Sequence, residues 1–155
     1  MPEKNKLSLT VQYADPRLQA DITRPMLRRW VQAALFFPAQ ITLRIVDAQE
    51  GRALNLAYRQ KDYATNVLTF AYTEDEEAEE TQADIILCTD ISQREASEQN
   101  KSVLEHCAHL VVHGVLHAQG YDHEEDEEAE EMESLEIEIL EKLGFANPYH
   151  PRNGN

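Results

Sequence analysis

Apolar and polar positions alternate in two early stretches, Lys6 to Tyr13 (KLSLTVQY) and Gln40 to Val46 (QITLRIV). A period of two marks strands with one buried face, and in the second stretch Ile41, Leu43 and Ile45 share that face. Between them the period lengthens to that of a helix. Thr23 can cap it, Pro25 suits its first turn, and Met26, Leu27, Trp30, Ala34 and Leu35 carry it to about Phe37, where Pro38 ends it. Asp47 followed by Glu50 resembles a capping box, opening a second helix with Leu54, Leu56, Ala57 and Tyr58 before a loop at Lys61 to Thr65.

Val67 to Tyr72 (VLTFAY) reads as a strand, and Glu74 to Glu80 as an acidic loop. Asp84 to Cys88 (DIILC) is continuously apolar after its first residue, the pattern of a strand covered on both faces. Ser92 to Gln99 is polar, amphipathic and helical. Ser102 and Glu105 then form a capping-box pattern ahead of Val103 to Ala118, which is apolar nearly all round and belongs in the middle of the domain. Gly120 stops that helix. A last helix spans about Glu124 to Leu143, with Met132, Leu135, Ile139 and Leu143 at helical spacing, an acidic opposite face, and Gly144 as its stop. The order is β-α-β-α-β-β-α-α, without repeats or a dividing linker. It predicts one α+β domain over residues 1–155, a small mixed sheet packed with helices around a central buried helix.

With 155 residues and 42% hydrophobic composition, the chain can bury a real core. Its net charge of −15 speaks against a nucleic-acid partner until the distribution is considered. Much of the acid lies in Glu74 to Glu80 and Glu124 to Glu141, whereas Arg17, Arg24, Arg28, Arg29, Arg44, Arg52, Arg59 and Lys61 fall close together. That stretch is either a local basic surface or a set of solvated faces. No apolar run approaches the roughly 20 residues that span a bilayer, and Met1 to Leu9 is polar, so a cytoplasmic protein without a membrane partner is expected. Cys88 and Cys107 sit in apolar stretches and form no CxxC pair, which predicts two buried thiols rather than a disulfide.

The stretch that carries chemistry is His113-Gly-Val-Leu-His117-Ala-Gln-Gly120-Tyr-Asp-His123. Residues four apart lie on one helix face, so His113 and His117 can point at one ion, and the bend at Gly120 can return His123 as a third ligand. Three protein ligands on Zn²⁺ leave one position for water, as catalytic sites do. His109, His113 and His117 span ~12 Å of helical rise and cannot converge on one ion, which leaves His106 and His109 as core or supporting residues. The spacing H-x-x-x-H-x-x-G-x-x-H is that of metzincin peptidases, which place Glu directly after the first His as general base. Gly114 stands there instead, so a peptidase would lack its proton acceptor. A phosphodiester needs charge neutralisation more than a strong base, and Arg59, at the end of its helix, is the best candidate to supply it. Asp122 can orient a ligand histidine or merely shape the turn beside Gly120.

These residues resemble the YbeY family of bacterial endoribonucleases. The likeness runs through Leu54-Asn-Leu-Ala-Tyr-Arg-Gln-Lys-Asp62, Thr65-Asn-Val-Leu-Thr-Phe70, Asp84 to Cys88, the His113 to His123 motif and Glu130-Glu-Met-Glu133. The resemblance implies a zinc-binding, zincin-like α+β fold with one Zn²⁺ on His113, His117 and His123, and Arg59 as an essential catalytic residue. It further implies cleavage of single-stranded RNA, maturation of the 3′ end of small-subunit (16S) rRNA, and ribosome quality control. The family usually has Pro at the positions of Ala64 and Ala71, and often Gly at Ala83. Losing the prolines is expected to loosen the loop around the third strand. Two other readings compete. One is a zinc peptidase-like hydrolase. The other is a ribosome-assembly factor with a structural metal, whose acidic last helix meets a basic ribosomal protein on the small subunit.

Overall fold

The computed structural model describes residues 6–72, 80–121 and 125–149; the acidic loop and the Asp122–His123 pair fall largely or wholly outside them. Four strands form one mixed sheet: β1 (Leu7–Tyr13), β2 (Ala39–Val46), β3 (Val67–Ala71) and β4 (Thr81–Cys88), in the order β1-β2-β4-β3. β1, β2 and β4 run parallel, and β3 pairs antiparallel with β4 at the edge. Five α-helices accompany the sheet: α1 (Arg24–Ala33), α2 (Ala48–Arg59), α3 (Thr89–Glu98) and α4 (Val103–Ala118) touch it, and α5 (Asp126–Lys142) packs on α4.

Local side chains begin three of these helices as expected. The amides of Met26, Glu50 and Glu105 donate to Thr23, Asp47 and Ser102 at 3.5, 2.9 and 3.1 Å. Three helices follow β4, rather than two, because Asn100 adopts a left-handed φ of 54° and breaks the helical stretch ahead of Ser102. α1 ends at Ala33, short of Phe37. Gln119, from the end of α4, accepts from the Phe36 amide at 2.7 Å and donates to the Ala34 carbonyl at 2.7 Å, and these bonds replace further helical turns. β4 begins at Thr81, before the apolar run, because Thr81 to Ala83 continue the parallel ladder against Ala39 to Ile41. At the far end of the β3–β4 ladder Ala71 lies opposite Ala83.

The main core lies on one face of the sheet, where Ile41, Leu43, Ile45, Ile85 and Leu87 meet α1, α4 and α5. A smaller cluster of Val46, Leu68, Ile86 and Cys88 lies under α2 on the other face. β4 therefore serves both, as its unbroken apolar run requires. α4 is the central helix, touching β3, β4, α1, α3 and α5, and it buries Cys107, Ala108, Val111, Val112, Val115 and Leu116. Cys88 and Cys107 are buried free thiols, and burial pushes Cys107 up to about 12.

Arg17 joins the end of β1 to the start of α3, meeting Asp15 at 2.6 Å and Asp90 at 2.9 Å, while Asp90 also accepts from the Ala48 amide that opens α2. The hydrogen bonds from Arg17 hold both carboxyls below the usual carboxylate range. Because the folded state depresses these pKa values, their contribution is complete above about pH 4 and is lost as pH falls further. Asp15→Asn should cost about 1 kcal/mol at pH 7, a modest figure because the partner guanidinium is half-exposed. In urea melts the difference from the unaltered chain should shrink towards zero below about pH 4.

Candidate metal centre

α4 sets His113 and His117 one turn apart with nearly parallel rings, 6.5 Å between centroids and 10° between planes. The end of the helix explains the second ring. Gly120 takes φ +104°, its amide donates to the His117 carbonyl at 3.0 Å, and the Tyr121 amide donates to the Leu116 carbonyl at 3.2 Å. This paired closure is the Schellman reversal that a glycine permits. It brings the Tyr121 carbonyl to 3.0 Å from His117 Nδ1. A carbonyl only accepts, so Nδ1 carries a proton, which leaves Nε2 as the nitrogen that could bind a metal. His113 has the same tautomer for another reason, since its Nδ1 donates to Glu136 Oε2 at 2.7 Å.

Glu136 was not among the residues singled out in the sequence, although it lies on the same stripe of α5 as Met132 and Ile139. It is completely buried in a helix otherwise rich in exposed acid. Its carboxylate accepts from His113, from His109 Nε2 at 2.8 Å and from the hydroxyl of Tyr149. Burial works to raise its pKa, but these three hydrogen bonds outweigh it and hold the carboxyl at about 2. The Tyr149 ring meets His109 edge-on at 5.3 Å, and Lys101 ties down the neighbouring Pro148 carbonyl at 3.2 Å. His106 takes a separate partner, Glu95, at 2.9 Å, and burial lowers its pKa so that it stays neutral. His106 and His109 thus tie α4 to carboxylates on α3 and α5.

Two clefts of about 330 Å³ each flank His113. One is lined by Asn66, Gln99, Lys101, His106 and His109, the other by Met132, Glu133 and Glu136, and Tyr149 borders both. Arg59 lines neither. It ends α2, where its Nη2 donates to the Thr69 carbonyl at 2.7 Å and its guanidinium lies 5.3 Å from the Phe70 ring centre. The link between the two regions is β3, whose Thr69 abuts α4. A Cβ on Gly114 would lie 3.3 Å from Thr69 Oγ1 and 3.1 Å from Ile85 Cγ2. Gly114 is therefore a contact point between helix and sheet, and a side chain at the place where a metzincin carries its glutamate would press on Ile85 and Thr69.

His123 and Asp122 lie outside the described residues, so the structure brings together two of the three expected ligands. Among the described residues no group of three His, Cys, Asp or Glu side chains is arranged to hold a metal. The two imidazoles present are oriented through Nδ1 and spaced as one helical turn allows, which fits a borderline-soft divalent cation. The arginines of the first half are structural: Arg24 lies over Tyr13 at 5.0 Å, Arg28 and Arg29 reach the carbonyls of Leu7 and Leu143, and Arg44 and Arg52 pair with Glu50 and Asp62. Among the described residues no helix is long and apolar enough to cross a membrane.

A family model described as Endoribonuclease YbeY matches residues 10–144. A protein of Janthinobacterium sp. (strain Marseille) named Endoribonuclease YbeY is 77% identical over 149 residues, covering 96% of this chain and 98% of the relative. One of the same name from Herminiimonas arsenicoxydans is 68% identical over 152 residues, covering 95% and 97%. The solution structure of a Thermotoga maritima protein superposes with a TM-score of 0.56 at 23% identity, covering 96% of this chain and 99% of that one, a likeness of fold.

Gly114→Glu, which would restore the metzincin pattern, should destabilise the protein by about 3 kcal/mol or more, since it forces a charged side chain between α4 and the sheet. Urea unfolding measures the loss, and near-native stability would show that α4 can stand away from β3.

Proposed function

The chain belongs to the endoribonuclease YbeY family, and from that premise we propose that it is a metal-dependent hydrolase of single-stranded RNA. It acts in the cytoplasm on the 3′ end of small-subunit rRNA and in ribosome quality control. His113, His117 and His123 hold one Zn²⁺. The observation that carries this reading is the pair of imidazoles on adjacent turns, each fixed through Nδ1 so that Nε2 is the donor atom. When bound, zinc supplies Lewis acidity towards a phosphoryl oxygen and lowers the pKa of water.

The chain's own residues do the rest. Arg59 binds the phosphate to be cut or offsets the charge that grows on it, a task suited to a planar fork of N–H donors. Its bond to Thr69 and its contact with Phe70 hold the guanidinium in place before substrate arrives. The clefts beside His113 give a nucleotide polar partners in Asn66, Gln99 and Lys101. The exposed acid of α5, including Glu127, Glu130 and Glu131, suits a basic ribosomal protein on the small subunit.

His117→Ala should lose both stoichiometric metal and cleavage of a single-stranded RNA, with folding followed by circular dichroism because ligand loss can unfold a metal domain. Arg59→Glu should keep fold and metal but lose at least about 100-fold in cleavage rate, the scale of removing one charge-stabilising donor. Wild-type cleavage by Arg59→Glu would remove that residue from the reaction. Cleavage of peptides but not RNA by the metal-loaded protein would overturn the nuclease reading itself.

A further inference from the structure

We propose that Glu136 is a positioning residue of the metal centre, fixing the His113 ring through Nδ1 and supplying the countercharge for the cation. The inference rests on the reading of His113 as a ligand. Metal-bound histidines commonly donate their second ring nitrogen to a carboxylate or carbonyl, which sets ring orientation and raises the basicity of the ligating atom. Here the two imidazoles differ: His117 donates to a peptide carbonyl, whereas His113 donates to a full negative charge.

Three features separate Glu136 from an ordinary core hydrogen bond. First, it is completely buried on a helix where every other carboxylate except the half-buried Glu133 is exposed. Second, among the described residues its ion-pair partners are His109 and His113 alone, so it is a buried anion without a lysine or arginine beside it. A buried carboxylate with no lysine or arginine beside it is stabilised by a fixed positive charge nearby, and a cation held by His113 provides one. Third, its orientation is itself determined, because His109 and the Tyr149 hydroxyl converge on Oε1 and leave Oε2 for His113. His109 and Tyr149 thus act on the ligand through the carboxylate, and the centre draws on α4, α5 and the segment after α5.

The test is Glu136→Gln, which preserves shape and removes the charge, with Zn²⁺ affinity measured by chelator competition and Co²⁺ substitution followed by its visible absorption. Affinity should fall by roughly 10–100-fold, the usual effect of losing such a partner, and the Co²⁺ bands should change in position or intensity. The metal-free protein should retain its far-ultraviolet circular dichroism. If Glu136→Gln fails to fold, Glu136→Asp keeps the charge but retracts it, and should weaken Zn²⁺ binding in the same direction. Unchanged affinity and Co²⁺ spectrum in the folded variant, alongside lost binding in His113→Ala, would overturn the role of Glu136 and leave the metal reading standing. Full Zn²⁺ affinity in His113→Ala would remove the ligand on which both depend.

Discussion

How closely α4 can lie on the sheet governs the rest of the molecule. A helix that touches β3, β4, α1, α3 and α5 has little solvent-facing surface on which to place ordinary polar residues, so most of its polar side chains must find partners or do chemistry. The glycine at 114 lets the backbone settle against Thr69 and Ile85. With that face against the sheet, His109 and His113 point towards α5 and His117 lies at the end of the helix, beside its reversal. The glycine contact and the histidine row are two sides of one helix, and neither could be moved without the other.

That arrangement also accounts for the difference between this chain and a peptidase with similar histidine spacing. A glutamate after the first histidine would have to point into the helix–sheet contact. The chemistry left to the site uses charge stabilisation by groups outside the helix, of which Arg59 is the proposed instance. Arg59 is anchored to the same strand that receives Gly114, so β3 connects the guanidinium to α4 without direct contact between them.

Features with short-range causes were legible in the sequence. Thr23, Asp47 and Ser102 bond to amides in their own first helical turns, the run Ile85 to Cys88 announces burial on both faces, and His113 with His117 follows from helical periodicity. What escaped depends on distant parts of the chain. The end of α1 is set by Gln119, and the start of β4 by its register with β2. Glu136 was hidden because it sits among many acidic residues of one helix, and only the packing of α5 on α4 distinguishes it from its exposed neighbours. A glutamate on the apolar stripe between Met132 and Ile139 was the available signal. Which arginines of the basic stretch are paired also depends on the fold: Arg17, Arg44 and Arg52 meet carboxylates, whereas Arg24, Arg28 and Arg29 stay exposed and meet a ring or carbonyls.

Tyr149 donates to Glu136 from beyond the last helix, and that gives the site an order in time. A ribosome delivers the chain from its amino end, so the histidines emerge first, the carboxylate that receives them next, and the tyrosine last of the three. The surroundings of His113 are therefore complete only when the segment after α5 has come back onto the buried carboxylate, which without Tyr149 would lack one of its donors.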